Sequence, residues 1–354
     1  MTALDRRSFL ASMACLSAGG LGAICACDKP LTREQVLSSL VLDLAVPDVE
    51  AVAVECARLE TEVRALTAAA TSAQLTRTQQ EWQRALLAWK RVHVLRTAPV
   101  VSTNALLRAA FWPVREKAIE EIRLDTRPIE SSSIEELGVD VKGMYALEHL
   151  LFSAPAELVL RLSERKGDRE KELLRLLSEN VCSYAKSARS ALGDGKECAT
   201  ALSKTGQEGL NEIVGSLIAT LESTVLHMQL VSDRHALGTL KLADVEGGLS
   251  QSSLELVLMS LTACERVYVG VQGRGVSALV HAVSPSIQAH MRSTFASAVA
   301  AVRALKLPLE RAVISHQAEL KRAIARVQDV EVGFKTELAS VLGITLSLVS
   351  GDGD

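Results

Sequence analysis

The chain has 354 residues, 48% of them apolar but only 3% aromatic, and a formal charge of −3. That length suits one large domain or two of ordinary size, and a core built from Leu, Val and Ala favours helices over sheets. The small net charge, with no polybasic block, argues against nucleic acid as a partner.

Residues 1–27 read as a targeting segment. Asp5-Arg6-Arg7-Ser8-Phe9-Leu10 is a twin-arginine pattern, and a Gly/Ala/Ser-rich apolar run follows it from Ala11 to Ala26. The run is too short for a convincing membrane span. It ends in Ile24-Cys25-Ala26-Cys27, which is similar to a bacterial lipobox with Cys27 as the lipidated residue. The expectation is export to the periplasm or cell envelope and attachment to the membrane through a lipid at Cys27. Cys56, Cys182, Cys198 and Cys264 remain beside the anchor. Their spacing forms no CxxC and no zinc pattern, so buried free thiols are expected.

In chain order, Leu31–Leu44 is a helix-like lead-in punctuated by Pro47-Asp48, and Val49–Ala70 has the apolar spacing of a long helix. A second helix is predicted from Ala73 to Thr97, where Trp82, Leu86, Trp89 and His93 share one face. Such a stripe reads as core, with His93 at its end. Pro99 breaks that helix. Ser102–Ala110 is a short helix, Phe111-Trp112-Pro113-Val114-Arg115 follows, and Asp125–Ser133 is a loop. Helices are predicted over Leu158–Leu192, with an interruption near Gly167, and over Gly206–Leu237. Gly247-Gly248 marks a loop. Later helices start at Ser253, Pro285 and Pro308, the last running to Gln328. The reading is all-α, in antiparallel bundles.

One stretch carries more than packing. Lys142–Ser153, KGMYALEHLLFS, is an apolar helix with Glu148 in its middle. An unpaired buried carboxylate costs several kcal/mol, so Glu148 needs a cation, a hydrogen-bond donor, a metal or a proton. Arg96 and Arg115 are the candidate cations. Gly143 lets another backbone come close or gives the helix an unusual start.

These residues resemble the imelysin family, exported bacterial helical proteins that are often lipoproteins, long classed as peptidases and linked to iron uptake. GMYALEHLLF at Gly143–Phe152 is similar to the family's Gly-x-His-x-x-Glu motif, and FWPVR at Phe111–Arg115 resembles its Trp-Pro segment. ERVYVG followed by GRGVSALV, within Glu265–Val280, and the carboxyl end Glu337–Asp354 also match. The resemblance implies two helical bundles in residues 28–354, with a boundary near 195–245 and the motif near their junction. It also implies a metal or iron-related ligand: iron, or another divalent or trivalent ion. The site residues it points to are Gly143, Tyr145 and Glu148, supported by His93, Arg96, Trp112 and Arg115. Tyr145 stands where the motif has histidine. A phenol and a carboxylate suit Fe(III) in principle, and they are equally an ordinary hydrogen-bonded core pair.

Other candidates are weaker. His316-x-x-Glu319 has metal-compatible spacing but lies among charged neighbours. Asp352 and Asp354 lack most of a calcium loop. Neither His-Glu-x-x-His nor Gly-x-Ser-x-Gly occurs, which argues against hydrolysis. A binding role follows, with a metal-free module that engages envelope proteins as the alternative.

Overall fold

Capping and turn chemistry set the first helices. Thr32 closes a capping box with Gln35, and the chain then runs helical from Arg33 to Ala68 through a π-helical segment, Leu40–Ala45. Pro47 therefore does not interrupt the chain as the sequence suggested. It occupies one of the first two positions of Val46–Ala68, where no earlier turn of the same α-helix needs its missing N–H. The computed structural model describes residues 30–164 and 167–345. The twin-arginine pattern, Cys27, Asp352 and Asp354 lie outside the described residues.

Every regular element among the described residues is helical. The eight principal helices are α1 (Val46–Ala68), α2 (Ser72–Val94), α3 (Gly143–Phe152), α4 (Asp168–Leu192), α5 (Gln207–Ala236), α6 (Ser253–Val269), α7 (Pro285–Arg303) and α8 (Gln317–Gly333). The first four pack together: α1 lies against α2 and α4, and α3 lies against both α2 and α4. The last four form a second group, with α5 against α6 and α8, and α7 against α6 and α8. The groups meet where α2 packs on α6 and on α5. The described residues from Leu31 form one compact unit.

The apolar patterns explain the packing. Val52, Cys56, Leu59, Val63 and Leu66 of α1 are all buried, as are Trp82, Leu86 and Trp89 of α2. The helix α5 is long and apolar enough to cross a bilayer, yet Leu210, Ile213, Val214, Leu217, Leu221 and Met228 are buried and it packs within the second group. Tyr268, Phe295 and Phe334 form an aromatic cluster there, with ring centroids 5.5–5.8 Å apart.

Two details differ from the sequence reading. Ser131–Glu136 is a short helix where a loop was expected. The helix expected from Pro308 to Gln328 is broken at His316, which leaves the helical region (φ −135°, ψ 42°) and separates Leu309–Ser315 from α8. His316 and Glu319 therefore do not share a helix face. Instead Ser315 holds His316, and Arg322 holds Glu319. The four described cysteines are free thiols, three of them buried and Cys198 half-buried.

A part-buried ion pair ties α1 to α6. Arg266 of α6 donates to both carboxylate oxygens of the buried Asp48, at 2.6 and 2.7 Å, near the start of α1. Asp48→Ala removes this tie and leaves the guanidinium without its acceptor. The expected loss is about 2–3 kcal/mol, less than for a fully buried pair because Arg266 is partly solvated. Chemical denaturation of the two proteins measures it.

Candidate functional site

The helix α3 is held in place by α2. Trp82 Nε1 donates to the Met144 carbonyl at 2.7 Å, Gln79 Nε2 donates to the Leu151 carbonyl at 2.8 Å, and the Trp82 and Phe152 rings meet edge to face at 5.0 Å. Gly143 starts α3 at φ +80°, and a Cβ there would lie 2.6 Å from the Ala109 carbonyl oxygen. The sequence expectation of a close backbone approach is met by the end of the short helix Ala105–Ala110. Gly143→Ala would have to relieve both the left-handed backbone and that clash, at a cost of about 1–3 kcal/mol read from denaturation.

Glu148 is 4% exposed and has no ion-pair partner among the described residues. Neither proposed arginine serves it: Arg115 pairs with Asp140, and Arg96 donates through Nε to the His93 carbonyl. The donors come from the Gly247-Gly248 loop. The Ser250 backbone N–H and hydroxyl both donate to Glu148 Oε1, at 3.0 and 2.7 Å. Burial pushes the Glu148 carboxyl up to about 7, against the pull of these two hydrogen bonds, and Glu246 and Glu310 add to the rise. Of the four kinds of compensation that the sequence left open, a proton and hydrogen-bond donors are the ones present.

Tyr145 faces a different acid. Its hydroxyl donates to Glu246 Oε1. Burial, then the charge of Glu246, raises the phenol well above its usual range, so it remains a donor. Lys90 Nζ lies 2.5 Å from the same Oε1, and His227 Nδ1 lies 3.5 Å from Oε2. Burial pushes Glu246 up, but Lys90 and then His227 outweigh it and leave the carboxyl below its usual range. Tyr145 and Glu148, one turn apart on α3, therefore point to Glu246 and Ser250 and do not share one partner.

Lys90, His93, Arg96, Trp112, Thr220, Thr224, His227, Asp244 and Glu246 line a cavity of about 100 Å³ where α2, α5 and α6 meet. The α2 stripe ends here: His93 lines the cavity, and its buried Nε2 has no hydrogen-bond partner. Burial, then Lys90 and Arg96, lower His93 to about 3, so it is neutral. Burial also lowers His227, partly opposed by Glu246. Trp112, joined to Pro113 by a cis peptide, lies edge-on to His227 at 5.0 Å. On the other face of α3, His149 sits between Glu120 (2.9 Å) and Glu116 (3.5 Å), outside the cavity.

No three His, Cys, Asp or Glu side chains among the described residues form a metal-ligand set. The Lys90 ammonium already occupies the position opposite Glu246 where a cation would sit. The donors present do not fit a bare metal ion.

Sequence reasoning missed Lys90, Thr220, Thr224, His227, Glu246 and Ser250. The signal existed on α5, where Thr220, Thr224 and His227 recur one turn apart. Glu246 directly precedes the glycine pair, and Lys90 lies one turn before His93.

The family comparison agrees with this architecture. The model for imelysin, named peptidase M75, matches residues 45–332. The chain belongs to the imelysin family. Two solved structures share its fold. An imelysin-like protein from Psychrobacter arcticum 273-4 superposes with a TM-score of 0.70 at 13% identity, covering 90% of this chain and 98% of the other. A protein from Parabacteroides distasonis ATCC 8503, described as an iron-regulated protein A precursor, gives 0.66 at 14% identity, covering 87% and 95%. No curated protein matches in sequence. In this imelysin the carboxyl-terminal block from Leu346 onward lies outside the described residues.

The buried acid of this imelysin makes stability depend on pH. A carboxyl raised from 4.5 to about 7 on folding binds its proton more tightly in the native state. Its contribution is therefore lost as pH rises from about 4.5 to about 7, a fall of about 3 kcal/mol. Glu148→Gln keeps an acceptor for Ser250 and removes the titrating group. Its unfolding midpoint should exceed that of the wild type at about pH 8, and the difference should vanish near pH 5. Denaturation across this range checks both the sign and the window.

Proposed function

We propose that this imelysin-family protein is exported, is anchored to the membrane through a lipid at Cys27, and binds a metal-containing or other iron-related ligand in the junction cavity without catalysing a reaction. The observation that carries this reading is the convergence of Lys90, His93, His227 and Glu246 on one polar cavity beside the motif helix. Polar groups gathered in a concave junction between helix groups are a ligand-binding arrangement. The relative from Parabacteroides distasonis, described as iron-regulated, supports the link to iron. The absence of His-Glu-x-x-His and Gly-x-Ser-x-Gly from the sequence supports a non-catalytic role.

Glu148 and Tyr145 act in this reading as supports. Glu148 fixes the Ser250 loop and Tyr145 fixes Glu246, one wall of the cavity. A second reading, a metal-free module that engages envelope proteins, draws on the internal hydrogen bond of Tyr145, which stands where the family motif has histidine. Elemental analysis and mass spectrometry of protein purified from its native compartment separate the two. A stoichiometric metal or small molecule, reduced in the Lys90→Ala and Glu148→Ala variants, supports the ligand reading. Protein that carries neither, together with unchanged variants, removes it.

A further inference from the structure

The acids that line the junction cavity are already engaged. Glu246 is matched by Lys90 and hydrogen-bonded by Tyr145, and Asp244 is held by Arg234. Arg96 is not matched. It lines the cavity and is exposed, it has no carboxylate partner among the described residues, and its Nε is spent on the His93 carbonyl at 3.2 Å. The remaining guanidinium N–H groups are free to receive an anion in the planar two-point geometry that guanidinium favours.

Deeper in the cavity the unmet need is of the opposite kind. The buried His93 Nε2 has no partner; the ring's hydrogen bond to the Leu106 backbone keeps the proton of the neutral imidazole on its other nitrogen, which leaves Nε2 as an acceptor. The Thr220 and Thr224 hydroxyls donate to the Ser216 and Thr220 carbonyls, so toward the cavity they too offer oxygen lone pairs. The cavity therefore presents an unmatched cation at Arg96, and acceptors at His93, Thr220 and Thr224. A bare metal ion would answer the acceptors but would be repelled by Arg96. A carboxylate alone would answer Arg96 and leave His93 unmet.

We infer that the junction cavity recognises a small hydroxycarboxylate, with its carboxylate against Arg96 and its hydroxyl donating to His93 Nε2. This rests on the ligand-binding reading above and narrows it: hydroxycarboxylates chelate Fe(III), so any iron would arrive as their complex and not as a free ion.

Titration calorimetry of the whole mature chain tests the inference, with malate, succinate, citrate, Fe(III)–citrate, and Mn²⁺ or Zn²⁺ alone as probes. Malate and succinate differ by one hydroxyl, so malate should bind about tenfold tighter. Arg96→Ala, a change at an exposed position, should weaken malate and citrate about tenfold or more. His93→Phe should abolish the preference for malate over succinate. Unequal affinity for citrate and Fe(III)–citrate tells whether the free acid or its iron complex is the better fit, and binding of either, weakened by Arg96→Ala, supports the inference. Tight binding of the metals alone, or acid binding indifferent to Arg96→Ala, overturns it and leaves the ligand-binding reading standing. No binding of any probe, together with native protein free of metal and small molecules, overturns both.

Discussion

A carboxyl group withdrawn from water fixes the arrangement at the centre of this molecule. Glu148 sits on a helix whose neighbouring side chains are hydrocarbon, and a charge there is costly unless something compensates it. The compensation is a proton held well above the usual carboxylate range, together with two donors from one serine. That solution needs the Ser250 loop in one position. It therefore joins α3, in the first helix group, to the segment that leads into α6, in the second.

The same segment organises the polar cavity. Glu246 lies four residues before Ser250 and gathers Lys90, Tyr145 and His227 around one carboxylate. Two acids far apart in sequence thus meet opposite fates at one junction. Glu148, walled by hydrocarbon, keeps its proton up to about pH 7, whereas Glu246 is held ionised by an ammonium. Environments that push two carboxyls in opposite directions are the mark of a tuned site. Here the ionised one faces the cavity and the neutral one supports the wall.

The helical architecture was legible in the sequence because Leu, Val and Ala recur with helical spacing over long stretches such as Val52–Leu66 and Trp82–Trp89. The motif helix, its buried acid and the close approach at Gly143 were legible for the same reason, since one acid in an apolar helix and one glycine at its start stand out. The partners of the acid were not. Ser250 and Glu246 lie about a hundred residues away in a loop, and periodicity says nothing about which loop reaches which helix. The arginines looked suitable by charge, yet Arg115 is claimed by Asp140. His316 failed for a local reason: a break in the backbone removed the helical register on which its spacing with Glu319 depended.

The stretch from Glu246 to Ser253 is held at three points. Glu246 is gripped by Lys90, Ser250 by Glu148, and Ser253 donates to Glu310 at 2.6 Å while accepting from the Leu309 backbone at 2.8 Å. It works as a seam stitched twice to the first half of the body and then to the second. Because the stitches are side chains from both halves, neither half can tilt against the other without dragging the cavity wall along. A molecule lodged in the cavity would stiffen the whole junction, and a distortion of the junction would reshape what the cavity accepts.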